Sequence, residues 1–202
     1  MPVRLCCIVE GHGEVKSVPA LIHRICIDRQ VSAPIVPTPI RWDRHRLVKP
    51  GEAERAVQVA LKFAGAAGGV LILVDADDDC PAKIGPLLMQ RAASAAGGVP
   101  FAVSLACREY ESWFLAAAEG FRSFRGLPAS LEAPGNFQEI RGAKEWLRKM
   151  AGTGSSYRPT VDQLLFTRQM DLQLARRSRS FVRFERELLK LLERLDPRQA
   201  TA

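Results

Sequence analysis

Short apolar runs alternate with helical periodicity along the first half of the chain. Val3–Val9 is apolar apart from Arg4, which suits a strand buried on both faces that feeds a sharp turn at Glu10-Gly11-His12-Gly13. Val15, Val18, Leu21, Ile22 and Ile25 then recur at helical spacing through Arg29, and Ser32-Ala33-Pro34 ends that element. Ile35–Trp42 reads as a second strand, pushed to an edge by Pro37 and Pro39. A helix opens at Pro50-Gly51-Glu52, runs through Ala53, Val57, Ala60, Leu61 and Ala64, and stops at Gly65, Gly68 and Gly69. Val70–Val74 is uniformly apolar and too short for a helix, so it belongs in the middle of a parallel sheet. Pro81 suits a helix first turn, and Ile84, Leu87, Leu88, Arg91 and Ala92 carry that helix to Gly97-Gly98. Phe101–Cys107 supplies a fourth strand. Strict alternation of strand and helix implies right-handed crossovers and a mostly parallel, Rossmann-like four-stranded sheet with helices on both faces.

After Trp113 the pattern reads as helical and polar, with a Gly/Pro-rich stretch from Gly126 to Gly135. Helices are predicted near 142–151, 160–175 and 179–196, and no fifth strand. In the last of these, Phe181, Phe184, Leu188, Leu191, Leu192 and Leu195 fall on one stripe that should pack on the sheet. The expected organisation is an α/β domain over 1–118 and a C-terminal helical extension over 119–202, packed together as one compact unit.

At 202 residues, 47% hydrophobic and 25% charged, the chain has the make-up of one globular domain. Its apolar runs fall short of the roughly 20 residues that cross a bilayer. The amino terminus lacks a signal-peptide pattern, so no membrane association and a cytoplasmic location are expected. Cys6, Cys7, Cys26, Cys80 and Cys107 show no CxxC spacing, and reduced, mostly buried thiols are expected. Charge is segregated: residues 1–140 hold 15 Lys+Arg against 15 Asp+Glu, and residues 141–202 hold 14 against 7, so the tail carries the whole net charge of +7. Such a tail can oppose phosphates, or can be an ordinary solvated arginine-rich surface.

Ligands in an open parallel sheet collect at the carboxyl ends of the strands. Glu10 ends the first strand, Asp75 the third, and Glu109 and Glu111 follow the fourth, so three strand exits deliver carboxylates to one edge. If strand geometry continues through Ala76, Asp75 and Asp77 point the same way and repel, a cost that a bound dication reverses. An oxygen-only donor set favours Mg2+ or Mn2+. One of Asp77–Asp79 is expected to cap the helix that begins at Pro81, leaving Asp79 a secondary candidate and Asp78 solvated. Glu14, in a helical first turn, is another secondary candidate, and His12 reads as a turn residue. Glu10-Gly11-His12-Gly13 lacks both the Walker ending and dinucleotide-binding spacing. Arg108-Glu109-Tyr110-Glu111-Ser112-Trp113 reads as a helix start, with Trp113 in the core and both glutamates facing the acidic edge.

Val9-Glu10-Gly11 with Glu14 behind it, and the strand ending in Asp75-Ala76-Asp77, resemble the two hallmark motifs of the Toprim domain. That domain is shared by topoisomerases, primases and OLD-family nucleases. Together with Arg108–Trp113, Lys144-Glu145-Trp146-Leu147 and Ser180-Phe181, the chain resembles an uncharacterised bacterial Toprim-like family related to the OLD nucleases. The Toprim part covers about the first 115 residues, and the wider resemblance nearly all of the chain. It implies Glu10 as general base or metal ligand, Asp75 and Asp77 as magnesium ligands, and Glu109 or Glu111 at a second metal. Lys144 would balance charge on a phosphate.

The resemblance implies a divalent-metal-dependent DNA or RNA endonuclease, effector of a two-component defence system. OLD nucleases carry an ATPase on the same chain; no Walker loop is present here, so an ATPase would be a separate partner. Arg41, Arg44, Arg46, Lys49 and Arg108, with Arg176, Arg177 and Arg179 of the tail, would contact phosphates. The rival reading is a non-catalytic Toprim-like module that binds nucleic acid or a partner. A third, a nucleotide-hydrolysing α/β enzyme, needs a base pocket that the sequence does not display.

Overall fold

The computed structural model describes residues 3–151 and 157–196. Four parallel strands, β1 (Leu5–Val9), β2 (Ile40–Arg41), β3 (Gly69–Asp75) and β4 (Phe101–Ala106), form one sheet in the order β2-β1-β3-β4. β3 is the longest and is buried along its whole length, because it is flanked on both sides and covered on both faces. β2 is shorter than its apolar run suggests. Proline nitrogens cannot donate to a ladder, so pairing survives only at Ile40–Arg41 and at a single bridge between Arg4 and Ile35.

Side chains alternate across the sheet and sort the core in two. Cys6, Ile8, Val70, Ile72, Val74, Val103 and Leu105 face α3 (Glu52–Ala64) and α4 (Pro81–Ala96), with the short α2 (Arg44–Leu47) beside them. This layer is thin and alanine-rich: Ala53, Ala56, Ala60, Ala92 and Ala96 let helix backbones approach the sheet closely. Leu5, Cys7, Val9, Leu71 and Leu73 face the other way, onto α1 (Glu14–Asp28) and the C-terminal helices.

That second layer is thick and aromatic. Contrary to the polar pattern expected after Trp113, α5 (Ser112–Ala116) is buried at every position and continues into a turn at Ala118–Phe121 whose two ends, Ala118 and Phe121, are buried. Tyr110, Trp113, Phe114, Phe121 and Phe166 form a chain of ring contacts with centroids 4.9–5.8 Å apart. Around it pack α6 (Ala143–Met150), α7 (Pro159–Gln169), α8 (Leu172–Ala175) and α9 (Arg179–Leu195). The helix expected over 160–175 is broken at Met170-Asp171, where the Asp171 carboxylate caps α8 by accepting from Gln173 and Leu174 N–H. The apolar stripe of α9 lies on β4 as its spacing predicts, with Phe181, Phe184, Leu188, Leu191 and Leu192 buried.

Two contacts fix the extension to the sheet layer. Glu185, buried on α9, accepts paired hydrogen bonds from Arg29 at the end of α1 and from Arg176 after α8. At the other end of α1, a Cβ on Gly13 would lie 2.6 Å from the Pro159 carbonyl and 2.4 Å from Gln163 Oε1. The glycine of this turn therefore serves the close approach of α7.

Candidate functional site

The strand register brings the acidic residues to one edge. Val9 aligns with Leu73 and Asp75 with Ala106, so Glu10 leaves β1 beside Val74 while Asp75 is still inside the sheet. Pleating then separates them: Asp75 continues the Leu71-Leu73 face toward α1 and the extension, and Glu10 continues the Ile8 face toward α2. The expected pairing of Asp75 with Asp77 does not occur. The strand ends at Asp75, and Asp77 adopts a left-handed conformation (φ 48°) that turns its side chain to Arg44. One edge thus carries two charge clusters.

The first cluster is built around Asp75. Its Oδ1 accepts from Tyr110 N–H at 2.8 Å, tying the end of β3 to the segment after β4. Glu111 is fully buried, and its Oε1 accepts from Tyr157 Oη (2.9 Å) and Gln163 Nε2 (3.1 Å), both from the extension. Glu14 Oε2 accepts from Glu10 N–H at 3.1 Å, which closes the turn after β1. Opposite these acids stands Lys144, whose Nζ lies 3.6 Å from Glu111 and 3.5 Å from Glu109. Glu109 also accepts from Lys144 N–H at 3.3 Å, so it holds the start of α6 and aims the lysine.

The second cluster is built around Arg44, a buried guanidinium on α2. It pairs with Asp77 and Asp79 and donates to the Ala76 carbonyl at 3.2 Å. Its acids are roughly half exposed, at 44% and 53%. Neither they nor Asp78 caps α4, whose N-terminus has no side-chain cap, contrary to the capping expected from the aspartate run. Asp78 instead pairs with Arg108 (2.6 Å) and Arg141 (3.0 Å).

Burial determines the electrostatics. Asp75 is held well above the usual carboxylate range by desolvation, with Glu14, Glu111 and Glu10 adding to the rise and Lys144 opposing it. Burial raises Glu14 to about 7, reinforced by Glu111 and Glu10 and opposed by backbone N–H groups. Glu111 is also raised by burial, against Lys144 and the Tyr157 hydroxyl. Burial and Asp77 raise Glu10, while Arg44 opposes them. Desolvation disfavours the Lys144 ammonium, yet Glu111, Asp75, Glu109 and Glu14 together keep it above its ordinary value. Two acids, Glu109 and Glu111, pair with the lysine directly, and Asp75 and Glu14 act on it electrostatically.

Of the other residues predicted for phosphate contact, Arg41 and Lys49 are exposed, and Arg46 pairs with Glu52 and stacks over Trp42 at 5.3 Å. Arg44 is committed to its aspartates. In the tail, Arg176 is bound to Asp28 and Glu185, and Arg177 to Glu119; both act as structural ties. Arg179 is exposed, as is His12. Tyr157 and Gln163 were not anticipated, because neither lies in an acidic motif. Glu14 contributes more than its position in a helical first turn implied. Cys6, Cys7 and Cys26 are buried free thiols; Cys80 is exposed.

Among the described residues, no three His, Cys, Asp or Glu side chains have the spacing of a formed metal centre. Lys144 pairs with Glu109 and Glu111, and Arg44 with Asp77 and Asp79. The donor chemistry nevertheless fits a hard dication. All candidate ligands are oxygens, acids outnumber cations around Asp75, and the buried Glu10 Oε2 and Glu111 Oε2 have no hydrogen-bond partner. No helix among the described residues is long and apolar enough to cross a membrane.

A family model described as a domain of unknown function, DUF4276, matches residues 9–189, a span that includes both clusters and the helices that enclose them. No curated protein and no solved structure matches the chain.

Proposed function

The chain belongs to the DUF4276 family, and we propose that it is a divalent-metal-dependent phosphodiesterase acting on DNA or RNA. The observation that carries this reading is the buried Asp75-Glu14-Glu111 group with Lys144 as its close counter-charge. Three buried carboxylates at a strand edge carry a desolvation cost that pushes their pKa values up, and a bound dication would offset it.

Asp75 and Glu111 would hold Mg2+ or Mn2+, with Glu10 as a ligand only if it turns from the Arg44 side of the edge; when bound, the ion supplies Lewis-acid stabilisation of phosphoryl oxygens. Lys144 then has a second task. Its ammonium, released from Glu111 by the incoming positive charge, would face a phosphate entering the edge. Glu14, poised near neutrality, would take or hold a proton there. Glu109 and Tyr157 keep Lys144 and Glu111 in place. The rim suits a polyanion: Arg41 ends β2, Arg46 and Lys49 lie beyond it, and Arg108 and Arg141 lie near the end of β4 beside Asp78. A separately encoded ATPase remains the proposed partner, on the strength of the OLD resemblance.

The decisive test is titration calorimetry of Mg2+ and Mn2+ on wild type and Asp75→Ala, with the same samples incubated with plasmid and single-stranded substrates. Metal binding and cleavage should both vanish in the variant, cleavage by at least about 100-fold, with the fold intact by circular dichroism. Absence of metal binding with nucleic acid present would remove the proposal.

One observation favours a second reading, a non-catalytic module. Lys144 and Arg44 already satisfy much of the carboxylate charge, as in a purely structural ion cluster. Under that reading Glu10→Gln and Asp75→Asn alter stability alone, and wild type shows no turnover with any metal.

A further inference from the structure

At the outer edge of the sheet, where β4 ends, a cavity of about 190 Å³ opens between the N-terminal ends of α4 and α9. Leu105 lines it from β4, Cys107 from just after that strand, Pro81 from α4, Gln138 from the loop before α6, and Arg179, Ser180 and Arg183 from α9. The sheet register places it on the same edge as the carboxylates, since Cys107 follows Ala106, the partner of Asp75.

The two arginines are unlike their neighbours. Arg176, Arg177 and Arg186 are each tied to an acid, whereas Arg179 and Arg183 are exposed and make no ion pair or hydrogen bond among the described residues. Four residues apart on one helix, they occupy the same face and repel each other. Arg179 is also the first residue of α9, at the positive end of the helix dipole, and no acid occupies that turn. Ser180 completes the arrangement. Its Oγ accepts from Cys107 N–H (3.1 Å) and Trp113 Nε1–H (2.9 Å), which leaves its own proton to donate to Ser178 or into the cavity. Two guanidinium groups and one serine hydroxyl thus border a cavity that is otherwise mainly apolar and has no counter-anion among the described residues.

We propose that this cavity seats a phosphate group of the nucleic-acid strand, next along from the phosphate held at the Asp75 edge. The identity of the strand rests on the phosphodiesterase reading; the affinity for phosphate does not. Arg179 and Arg183 grip the phosphate oxygens, and Arg is suited to this because its planar fork matches them in pairs.

The test uses metal-free protein at low ionic strength. Inorganic phosphate is titrated by calorimetry into wild type and the Arg179→Gln/Arg183→Gln double variant, with chloride as the control anion. Wild type should bind, and the double variant about tenfold or more weakly, because two charge-assisted contacts are lost. Both arginines are exposed, so the variant should retain wild-type circular dichroism. Equal binding by the double variant, or no binding by wild type, overturns the proposal.

Short oligonucleotides with a 5′-phosphate or a 5′-hydroxyl, bound to Asp75→Asn, identify the source. A preference for the phosphorylated end assigns a terminal monoester, and equal binding that still depends on the arginines assigns an internal diester. Phosphate binding without cleavage by wild type would retire the phosphodiesterase and keep the pocket. Cleavage without arginine-dependent phosphate binding would do the reverse.

Discussion

The Lys144 and Arg44 clusters stand on the same sheet edge and use the same ingredients, one cation among carboxylates, yet they bury opposite partners. Around Arg44 the cation is buried and its aspartates are about half exposed, so water shares the stabilisation of the negative charge. Around Lys144 the acids are buried, with Glu111 at 0%, Glu14 at 4% and Asp75 at 7% exposure, and the lysine is the partner that reaches solvent. An ion pair that strands its anions in the interior has a large desolvation debt and depends on its one cation. The Arg44 cluster thus shares its negative charge with water, while the Lys144 cluster leaves its acids dependent on one cation, which is the asymmetry the metal-binding proposal rests on.

The comparison is broken or upheld first by removing each cation. Lys144→Met leaves Asp75, Glu111 and Glu14 without a close counter-charge and should cost about 3 kcal/mol at about pH 8. Arg44→Met should cost only about 1 kcal/mol, because Asp77 and Asp79 rehydrate and the buried Arg44 Nε, which has no partner, is removed. Chemical denaturation of both variants measures the two costs. A larger loss for Arg44→Met would reverse the assignment.

Acidity provides a second test. The folded-state pKa of Glu14 is raised from 4.5 to about 7, and those of Asp75 and Glu111 are raised too. A carboxyl with a raised folded pKa binds more protons when folded than when unfolded, so stability falls as pH rises between the two values. The metal-free protein should therefore lose up to about 3 kcal/mol between about pH 4.5 and pH 7 from Glu14 alone. Millimolar Mg2+ or Mn2+ should restore stability at the alkaline end and have little effect at the acid end. Melting curves across pH, with and without metal, read this directly; a flat profile would mean that the acids are not strained.

The sequence shows the edge and hides its division. Uniformly apolar Val70–Val74 announced a central parallel strand, and the stripe from Phe181 to Leu195 announced a helix on the sheet, because burial on a fixed period is a local property. The convergence of Glu10, Asp75 and Glu111 followed from the same elements. What stayed hidden depends on a single backbone angle and on distant partners. Asp77 at φ 48° turns away from Asp75, and no residue type at that position dictates it. Tyr157 and Gln163 reach Glu111 across 46 and 52 residues, a contact that no motif spacing encodes. The basic tail misled through composition: Arg176 and Arg177 count toward net charge but are consumed in tying helices together.

The smallest effect is also the sharpest discriminator, since it predicts a gain. Asp75→Asn removes one buried charge from an over-acidic group and keeps an oxygen to accept from Tyr110 N–H, so it should stabilise the metal-free protein by about 1–2 kcal/mol at about pH 8. Asp77→Asn, in a half-exposed pair, should stay within about 0.5 kcal/mol of wild type. If Asp75 were a structural anchor like a buried N-cap, the asparagine would be neutral or harmful, and the two variants would not separate. A more stable Asp75→Asn that no longer responds to metal would mean that the fold gives up stability at this carboxylate for what it binds.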